Sequence, residues 1–540
     1  MIEAILLAFS HYWLYFVPAL ILAYLLRNYF DKGLNKYPGP FLANFTDAWR
    51  FINVYKRRPD ITQIRLHRQL GNIVRLGPNT LSFSDPAAIK TIYGLNKGFV
   101  KSGFYPPQQA TFEGKRLPSL FSTTDEAYHA NLRRSVNSAF SMSALVQYEP
   151  NVNEVIDVFL ERTRQVYAAP GKVADFALWL QYFAFDVIGQ ITYSKQHGFV
   201  EKNEDIDGMI AYLGRLFSYV APVGQMPFLD LLLLKNPIVL FLDKLGYKPL
   251  AFPITKFARA RMAERLSEME NQIEKAPSGA STPGRGDLLS MFLKAQAQRP
   301  EFMTSQRVLT MAVSMAFAGS ETTAISLAAV FYHLLKNPAC YRKLQYELDE
   351  AMRHGRVGRG ETGLVTWSES QTLPYLDAVI KESMRVHPAA GLPLERITPP
   401  GGIEICGEHI PAGTIVGCSA WVIHRHEPTF VPQSNPTAYP IDKFVPERWL
   451  DASSSQRKEM EATMFQFGAG SRTCIGKNIS LLEIYKLVPN FLLKFDIELE
   501  DPEEEWKLHN AWFVKQLDFN AKFSERQVGR ERSDSGNIVY

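Results

Sequence analysis

The longest mostly apolar segment of the 540-residue chain runs from Arg307 to Leu335 and constrains the fold more than any other feature. Of residues 308–335, 19 of 28 are apolar, and the segment holds one Gly and no Pro. A helix that is apolar on all sides is normally buried. The polar group Ser320-Glu321-Thr322-Thr323 lies at its centre, where lipid would strongly disfavour an unpaired carboxylate. We therefore expect a helix buried in protein, with this group facing an internal cavity, rather than a membrane span.

Composition narrows the class of protein. Hydrophobic residues make up 46% of the chain and charged residues 21%, which predicts a large folded core and excludes disordered or collagen-like chains. With 59 basic and 55 acidic residues, the net charge of +4 gives no footprint for nucleic acid, so we expect no nucleic-acid partner. The four cysteines, at 340, 406, 418 and 474, are too few and too widely spaced for a disulfide scaffold.

The N-terminal segment Ile5 to Leu26 carries no formal charge and would extend roughly 33 Å as a helix, enough to span a hydrocarbon core of about 30 Å. A cleaved signal peptide is the alternative, but the segment lacks a basic start and a small-x-small cleavage site. Arg27, Lys32 and Lys36 follow the segment, so the positive-inside rule places the remainder in the cytosol. We expect residues 5–26 to be a single-pass anchor in the endoplasmic reticulum membrane, and residues 27–40 to form a basic elbow with Pro and Gly.

The rest of the chain reads as one large domain, residues 41–523, that is mainly α with small β-sheets. Residues 73–76 and 80–83 predict a short hairpin, further strand signals occur near 401–416 and 512–523, and helical periodicity covers most of the remainder. Residues 274–286 are rich in Pro, Gly and Ser and predict a flexible connection. Residues 524–540 are polar and weakly periodic, which predicts a flexible tail.

The decapeptide from Phe467 to Gly476, FGAGSRTCIG, places three glycines around the thiol of Cys474. Glycines let a backbone approach a flat partner closely, and successive amide groups can point at one anion. A nearby cation or a metal lowers the pKa of a thiol, and Arg472 is suited to a carboxylate. The pattern predicts a socket for a metal with an acidic organic cofactor, against the alternative of a Gly-rich turn with an incidental Cys.

This decapeptide resembles the haem-binding loop of the cytochrome P450 superfamily, the haem-thiolate monooxygenases. The resemblance implies the cytochrome P450 fold and haem b as the cofactor, with Cys474 as the axial thiolate ligand of the iron and with Phe467, Gly468 and Arg472 in its cradle. It also implies that Arg133 and Arg396 contact the haem propionates. His129 stands where the family usually has Trp, so its contact with the haem is left open.

Three further motifs resemble the same family. Ala318-Gly319-Ser320-Glu321-Thr322-Thr323 is similar to its oxygen-activation segment, which implies that Thr322 bonds oxygen or water and that Glu321 relays protons; a satisfied core hydrogen bond is the alternative for this pair. Glu382, Arg385 and Arg448 match the family's structural Glu-Arg-Arg network. His424-Arg425-His426 corresponds to a structural turn, and we assign it no metal.

The resemblance implies a membrane-anchored monooxygenase that takes electrons from NADPH through a separate NADPH–cytochrome P450 reductase and uses O₂. The substrate pocket would be mostly apolar, which implies a lipophilic small molecule. The residues expected to line it are Ser314, Met315, Ala318, Leu392 and Phe513.

The wider sequence is similar to filamentous-fungal members of the pisatin demethylase-like type, which implies secondary-metabolite biosynthesis. Three alternatives stay open. They are a monooxygenase that detoxifies phytoalexins or xenobiotics, a haem-thiolate isomerase or dehydratase that needs no reductase, and a non-catalytic haem-binding or sensor protein.

Overall fold

Helices dominate the structure and small sheets complete it, as the sequence predicts. The computed structural model describes residues 2–247, 253–275, 286–432 and 435–526. Its α-helices are α1 (Ile2–Phe30), α2 (Ala48–Tyr55), α3 (Pro59–Leu70), α4 (Ala87–Ile92), α5 (Glu126–Val136), α6 (Met142–Val146), α7 (Glu149–Thr163), α8 (Phe176–Tyr193), α9 (Phe199–Lys202), α10 (Met209–Val223), α11 (Phe228–Leu232), α12 (Pro237–Lys244), α13 (Pro253–Lys275), α14 (Leu288–Gln298), α15 (Ser305–Leu335), α16 (Pro338–Arg353), α17 (Trp367–Ser370), α18 (Pro374–Val386), α19 (Ala420–Ile423), α20 (Glu427–Phe430), α21 (Glu447–Asp451), α22 (Ser454–Thr463) and α23 (Lys477–Lys494).

The strands are short and form small separate sheets. They are β1 (Ile73–Gly77), β2 (Thr80–Phe83), β3 (Val100–Lys101), β4 (Ala110–Phe112), β5 (Lys115–Leu117), β6 (Ala174–Asp175), β7 (Arg396–Ile397), β8 (Ile403–Ile405), β9 (Glu408–Ile410), β10 (Ile415–Cys418), β11 (Phe495–Leu499), β12 (Lys507–Ala511), β13 (Phe513–Leu517) and β14 (Asn520–Glu525). The larger sheets have the orders β1-β2-β10-β7-β3 and β11-β14-β6, and the remaining strands form the pairs β12-β13, β4-β5 and β8-β9.

The predicted hairpin is confirmed. Strands β1 and β2 pair antiparallel, with Ile73 opposite Phe83, and β10 adds to β2 in parallel. The next helix, α4, begins after Asp85, whose carboxylate accepts a hydrogen bond from the Ala87 amide at 2.8 Å. This sheet brings β3 and β7, which are almost 300 residues apart in sequence, into direct antiparallel contact.

The central helix α15 is a core helix. Thr304 caps its first turn by accepting from the Arg307 amide. Helix α8 packs antiparallel along it, since the Tyr193 hydroxyl donates to the Ala312 carbonyl at 3.0 Å and the rings of Phe176 and Phe331 lie 5.0 Å apart. Among the residues that the structure describes, α15 is the helix apolar and long enough to cross a membrane, and 67% of its most apolar 18 residues are buried inside the protein. The burial agrees with the prediction of a core helix.

The N-terminal helix α1 covers the predicted anchor segment and continues to Phe30. The side chains of residues 2–14 lie outside the described part of the structure. The junction that follows is fixed to the domain. The Arg75 guanidinium donates to the carbonyls of Asn28 at 2.7 Å and Tyr29 at 3.1 Å, and the Arg75 amide donates to the Pro38 carbonyl at 2.8 Å. The Pro/Gly elbow therefore packs against β1.

The C-terminal boundary lies later than the sequence predicts. Ser524 and Glu525, expected in the flexible tail, belong to β14, where they pair with Asp496 and Phe495 of β11. Arg526 then forms an ion pair with Asp349 at 2.8 Å. Pairing across the sheet holds polar residues that carry no strand signal of their own. Residues 527–540 and most of the predicted flexible connection, 276–285, lie outside the described residues.

Candidate active site

The cysteine loop lies between α22 and α23 and is folded tightly on itself. The Cys474 amide donates to the Phe467 carbonyl at 2.9 Å. Gly468 and Gly470 have φ of 67° and 66°, in the left-handed region that favours glycine. A Cβ on Gly470 would lie 1.7 Å from the Tyr93 carbonyl oxygen, so only glycine fits there. The glycines thus give the loop its shape and its close contact with the neighbouring chain.

The Cys474 side chain is exposed on the cysteine loop. Protein atoms nevertheless crowd around the sulfur, and this burial raises the pKa of the thiol. Backbone N–H groups of Gly476 and Lys477 and the charges of Arg133 and Lys477 act in the opposite direction, toward the thiolate. A metal bound at the sulfur would oppose the effect of burial by lowering the pKa of the thiol and favouring the thiolate.

Helix α15 forms the facing wall. Ala318 is exposed and Thr322 half-buried, although the helix around them is buried. The helix comes close to the cysteine loop just beyond this point, because the Thr323 hydroxyl bonds the Ser480 hydroxyl at 3.1 Å at the start of α23. Within the predicted polar group only Thr322 is half-buried, whereas Ser320, Glu321 and Thr323 are buried. The expectation that the whole group faces a cavity is therefore not met.

The acid and the alcohol on α15 differ in how they are satisfied. The Thr322 hydroxyl donates to the Ala318 carbonyl at 2.8 Å, one turn back. Glu321 is only 5% exposed, its Oε2 has no hydrogen-bond partner among the described residues, and burial raises its pKa. Among the described residues no hydrogen bond joins Glu321 to Thr322, although the Thr322 hydroxyl itself is satisfied within the helix. Glu321 is instead a buried acid that favours its protonated form.

Gly319 lies inside α15 without interrupting it. The helix is continuous from Ser305 to Leu335. A Cβ on Gly319 would lie 2.9 Å from Cγ1 of Ile188, so the glycine serves the close packing of α8 on α15.

Predicted propionate ligands gather beside the cysteine loop. Arg133 of α5 donates to the Thr473 carbonyl at 2.7 Å. Arg396 of β7 donates to the Tyr105 hydroxyl at 3.3 Å. His129 lies one turn from Arg133 on α5 and is buried; burial and nearby positive charges lower its pKa to about 3, so its ring is neutral.

Arg472 has a partner that the sequence did not predict. Its Nη2 lies 2.6 Å from Oε1 of Glu126, and its Nε lies 3.1 Å from Oε2. Glu126 stands in the first turn of α5, three residues before His129. The arginine is therefore held at the edge of the cavity by a carboxylate of the protein itself.

Lys101 is a further member of this group that sequence reasoning missed. It lies on β3 directly opposite Arg396 of β7, is 6% exposed, and stacks over the rings of Tyr105 and Phe121 at 4.0 Å and 4.4 Å. Burial, followed by the charges of Arg396 and Arg472, holds its pKa well below the usual value. A two-residue strand leaves no sequence signal; the strand pairing reveals it.

We call Lys101, His129, Arg133, Arg396 and Arg472 the cation cluster. Like charges directly opposite on neighbouring strands destabilise a sheet. Four of its members, the three arginines and Lys101, ordinarily carry a positive charge. Among the described residues, Glu126 is the carboxylate that forms an ion pair with the cluster, through Arg472. The excess of positive charge suits a ligand with two acidic groups.

A separate network of buried charged residues lies near the cysteine loop. Glu382 of α18 accepts from Arg385 at 2.7 and 2.8 Å, from Arg448 at 3.2 Å, and from the Trp449 indole at 2.9 Å. Glu382, Arg385 and Arg448 are fully buried. Burial raises the pKa of Glu382, but the two guanidinium groups outweigh it and hold the pKa below the usual value. We call these three residues the Glu382 network.

His424 joins the Glu382 network to the cysteine loop. Its Nδ1 lies 3.2 Å from the Arg385 carbonyl, and its Nε2 accepts from the Phe465 amide at 2.7 Å, two residues before Phe467. Both ring nitrogens are therefore used by the backbone. This geometry agrees with a structural turn at His424 rather than a metal ligand.

Aromatic side chains form the wall above α15. The ring of Phe217 lies 5.1 Å from Phe317 of α15 and 5.0 Å from Phe513. Trp512 packs against Phe104 at 4.9 Å. The turn that carries Leu392 is tied to this hairpin, since the Gly391 amide donates to the Trp512 carbonyl at 2.8 Å.

The other predicted pocket residues lie on α15. Ser314 is half-buried and bonds the Thr310 carbonyl at 2.7 Å, and Met315 is buried. With Ala318 they follow one another along the helix toward the polar group. Leu392 is buried, and Phe513 is half-buried.

These observations fit one cofactor. An exposed thiol in a glycine-rich loop, together with a cation cluster suited to two acidic groups, matches haem, whose iron accepts a thiolate and whose porphyrin carries two propionates. The fold and the site thus define a haem-thiolate protein. When bound, the haem iron with its thiolate ligand supplies the chemistry that cleaves O₂.

Comparison with known families agrees. Residues 43–520 match the cytochrome P450 family, and the chain belongs to that family. It is 40% identical to the cytochrome P450 monooxygenase cicH of Emericella nidulans over 91% of this chain and 94% of that protein. It is also 40% identical to a cytochrome P450 monooxygenase of Aspergillus terreus, over 88% of this chain and 92% of the other.

A third relative is longer. The cytochrome P450 monooxygenase mpaDE of Penicillium brevicompactum is 37% identical over 93% of this chain but only 56% of its own length. The family and these relatives identify the protein as a cytochrome P450 monooxygenase. It is an oxidoreductase that uses O₂ and a small-molecule substrate. Its cofactor is haem b with a cysteine thiolate on the iron.

Proposed function

We propose that this enzyme inserts one oxygen atom from O₂ into a lipophilic small molecule, with electrons from NADPH delivered by a separate NADPH–cytochrome P450 reductase. The aromatic wall formed by Phe217, Phe317 and Phe513 carries the proposal. A wall of this kind supplies apolar burial and few hydrogen bonds, which favours lipophilic ligands.

Binding and turnover test the proposal together. Candidate compounds from a lipophilic extract should change the haem absorption spectrum, and NADPH and O₂ should be consumed in step with product. Phe513→Ala should weaken binding of an active compound about tenfold, since burying such a ring contributes about 1.5–3 kcal/mol. Tyr346→Ala, at a ring 68% exposed on α16, is the control and should bind normally. Product formed without NADPH and O₂ would instead identify an isomerase or dehydratase.

Within this function we assign proton delivery to Glu321 and Thr322. Glu321 is buried and inclined to hold a proton, and the Thr322 hydroxyl lies at the half-buried position of α15 next to the cavity. Thr322→Ala should keep its haem and its substrate-induced spectrum while a larger share of NADPH ends as hydrogen peroxide. An unchanged peroxide share would remove Thr322 from the assignment.

We place the reductase near the thiol side of the domain. Lys477, three residues after Cys474, and Arg134 on α5 are exposed there. Exposed charges of this kind guide association more than they tighten it. Lys477→Glu combined with Arg134→Glu should slow the first electron transfer at low salt, with the haem spectrum unchanged. Equal rates for both proteins would move the docking site elsewhere.

We also propose that the protein is anchored in the endoplasmic reticulum membrane through α1, with its catalytic domain in the cytosol. The described half of α1 presents exposed apolar side chains, including Phe16 and Leu22. A second exposed apolar patch covers α11 and α12 and includes Leu232 and Phe241. Large exposed apolar patches are typical of membrane or protein contacts.

The anchor can be tested by a truncation that respects the contacts of the junction. Deleting residues 2–26 leaves Asn28 and Tyr29, whose carbonyls bind Arg75, and Leu34, which is fully buried. Most of the truncated protein should move from the membrane pellet to the supernatant. Adding Phe241→Ser should release the remaining membrane-bound fraction. Full retention of the doubly altered protein on membranes would contradict the proposal.

For the biological role we propose secondary-metabolite biosynthesis in a fungus. The support is the similarity to fungal monooxygenases over nearly the whole chain. Detoxification of plant phenolics is the competing role. A compound from the producing fungus that changes the haem spectrum and is oxidised by the enzyme would favour biosynthesis. Activity confined to plant phenolics would favour detoxification.

A further inference from the structure

A small recess lies between helices α2 and α3 and the turn that carries Leu392. It offers about 20 Å³ to the centre of a water-sized molecule. By this measure a cavity needs roughly 10–15 Å³ to hold one water, so the recess has room for a single oxygen-sized group. The residues that line it include Arg50 of α2, Gln63 of α3, Gln225 after α10, Leu392 and Glu395.

Gln63 brings an unpaired amide to the recess. The residue is only 3% exposed, and its side-chain Oε1 has no hydrogen-bond partner among the described residues. Buried polar groups are normally hydrogen-bonded, and leaving one unpaired costs free energy. A buried, unpaired amide beside a space of one-oxygen size therefore indicates a binding site for a polar group that the protein itself does not supply.

The charged side chains of the recess bind each other. Arg50 forms ion pairs with Glu395 and Asp47, and its Nη1 also donates to the Thr80 hydroxyl at 3.1 Å. Glu395 accepts a further hydrogen bond from the Ser102 hydroxyl at 2.6 Å. Since these charges already have partners inside the protein, the recess is suited to a neutral group rather than to an anion or a cation.

Among neutral groups, a hydroxyl suits the recess best. A hydroxyl both donates and accepts, so it can bind Oε1 of Gln63 and a second partner at once. Asn53 and Gln225 bring further side-chain amides to the same space. A carbonyl or ether oxygen cannot donate a hydrogen bond and would leave Oε1 of Gln63 unpaired.

Two walls of the recess adjoin the aromatic side chains of the candidate site. The turn that carries Leu392 donates a backbone hydrogen bond to the Trp512 carbonyl at 2.8 Å. On the other side, Gly224 precedes Gln225, and a Cβ on this glycine would lie 2.5 Å from Cδ2 of Phe104. The ring of Phe104 in turn packs on Trp512 at 4.9 Å. A ligand packed against these rings therefore has the recess beside it.

Helix α3 is fixed to this turn, which gives Gln63 a defined position. Asp60 lies three residues before Gln63, on the same side of the helix. Its carboxylate accepts from the side-chain amide of Asn510 at 3.1 Å, and the same amide donates to the Gly391 carbonyl at 3.1 Å. Asp60 and Asn510 are fully buried.

We propose that the recess binds one hydroxyl group of the substrate, and that Gln63 is a specificity-determining residue that selects lipophilic molecules carrying a hydroxyl. This assignment rests on the proposed function and narrows its substrate class. When no ligand is bound, one water fills the recess, because a water has the same size and the same hydrogen-bonding groups. The hydroxyl of the substrate replaces this water.

Matched probes test the selection on the full-length holoenzyme. The pairs are 2-naphthol with naphthalene and 4-phenylphenol with biphenyl, and equilibrium dialysis measures each affinity. Gln63→Met, which keeps an unbranched side chain without the amide, should lower the ratio of hydroxylated to unsubstituted affinity about fivefold, the effect of one net hydrogen bond. Gln69→Met, at an exposed glutamine on the same helix, is the matched control and should keep the wild-type ratio. An unchanged ratio in Gln63→Met overturns the proposal.

Crystal structures of the wild-type holoenzyme give a second readout that needs no variant. The free enzyme should hold one ordered water within hydrogen-bond distance of the Gln63 amide, and crystals soaked in 2-naphthol should show the naphthol oxygen in its place. A dry recess in the free enzyme, or a water that stays at Gln63 after the soak, overturns the proposal. Neither result depends on NADPH consumption or product, so failure here is distinct from failure of the proposed monooxygenase function.

Discussion

The Glu382 network and the cation cluster both hold arginines beside the cysteine loop, but they are satisfied in opposite ways. In the Glu382 network, one carboxylate and a ring of backbone carbonyls bind every guanidinium; Arg385, for example, donates to the Ile441 carbonyl at 2.8 Å and Arg448 to the Phe430 carbonyl at 2.6 Å. In the cation cluster, Lys101 and Arg396 face each other across a strand pair with no carboxylate between them.

This difference separates charged residues that stabilise the fold from charged residues that are suited to bind a ligand. A buried charge group that the protein neutralises by itself contributes to the stability of one arrangement. A cluster of cations that the protein leaves under-neutralised is suited to bind acidic groups, and we expect these to be the propionates of the haem. The same residue type therefore serves two purposes, and its partners decide which.

The largest expected effect comes from breaking the Glu382 network. Glu382→Ala leaves two buried guanidinium groups without their carboxylate, a change that typically costs about 3–5 kcal/mol. We expect little soluble holoenzyme, and a much lower midpoint of thermal unfolding followed by circular dichroism in whatever is recovered.

Glu161→Ala is the matched control for that experiment. Glu161 and Arg164 form an ion pair with the same i, i+3 spacing, but both are exposed. The control should unfold at the wild-type temperature. If the two variants lost similar stability, burial would not be what sets the Glu382 network apart.

The cation cluster should respond differently. Arg133→Ala removes a charged hydrogen bond to the Thr473 carbonyl, worth about 1.5–3 kcal/mol. We expect haem to dissociate about tenfold faster or more, measured by transfer to an excess of apomyoglobin, while the helical circular dichroism of the protein is kept. Arg134→Ala, its exposed neighbour, should release haem at the wild-type rate. Loss of the fold in Arg133→Ala would make the cluster structural too.

The smallest effect concerns His424, which joins the Glu382 network to the cysteine loop. Burial lowers its pKa from 6.5 to about 3, so the folded protein keeps the ring neutral while the unfolded chain protonates below pH 6.5. The unfolded state then binds more protons, and stability must fall as the pH drops from 6.5 toward 3. Between pH 6.5 and 5 the loss amounts to about 2 kcal/mol for one such histidine.

Unfolding by urea at several pH values checks this prediction. His424→Gln keeps an acceptor for the Phe465 amide and should flatten part of the acid limb, even if it lowers stability at neutral pH. His354→Gln, at an exposed histidine on the C-terminal side of α16, should leave the slope unchanged. A slope in His424→Gln equal to that of the wild type would show that His424 does not carry the acid sensitivity.

Local sequence patterns predict much of the fold and the socket itself. The period and length of the apolar segment give α15, turn residues between alternating segments give the β1–β2 hairpin, and three glycines around a thiol give the cysteine loop. Each of these depends on residues close together in the chain, so the local physics is visible in the sequence.

Long-range pairing is what the sequence leaves hidden. Lys101 enters the cation cluster because β3 pairs with a strand almost 300 residues later, and Arg472 meets Glu126 across the cavity. Ser524 and Glu525 join a sheet whose register is set by β11. Gly319 is determined by its contact with Ile188 on another helix. None of these contacts has a local signature.

The identity of the sulfur ligand is the claim on which the rest depends, and the carbon monoxide spectrum of the reduced holoenzyme tests it most directly. The wild type should show the absorption band of thiolate-bound haem, and Cys474→Ser should lose that band while Cys418→Ser, at a buried thiol of β10, keeps it. A thiolate-type band that survives in Cys474→Ser would contradict the assignment of Cys474 and with it the function built on this site.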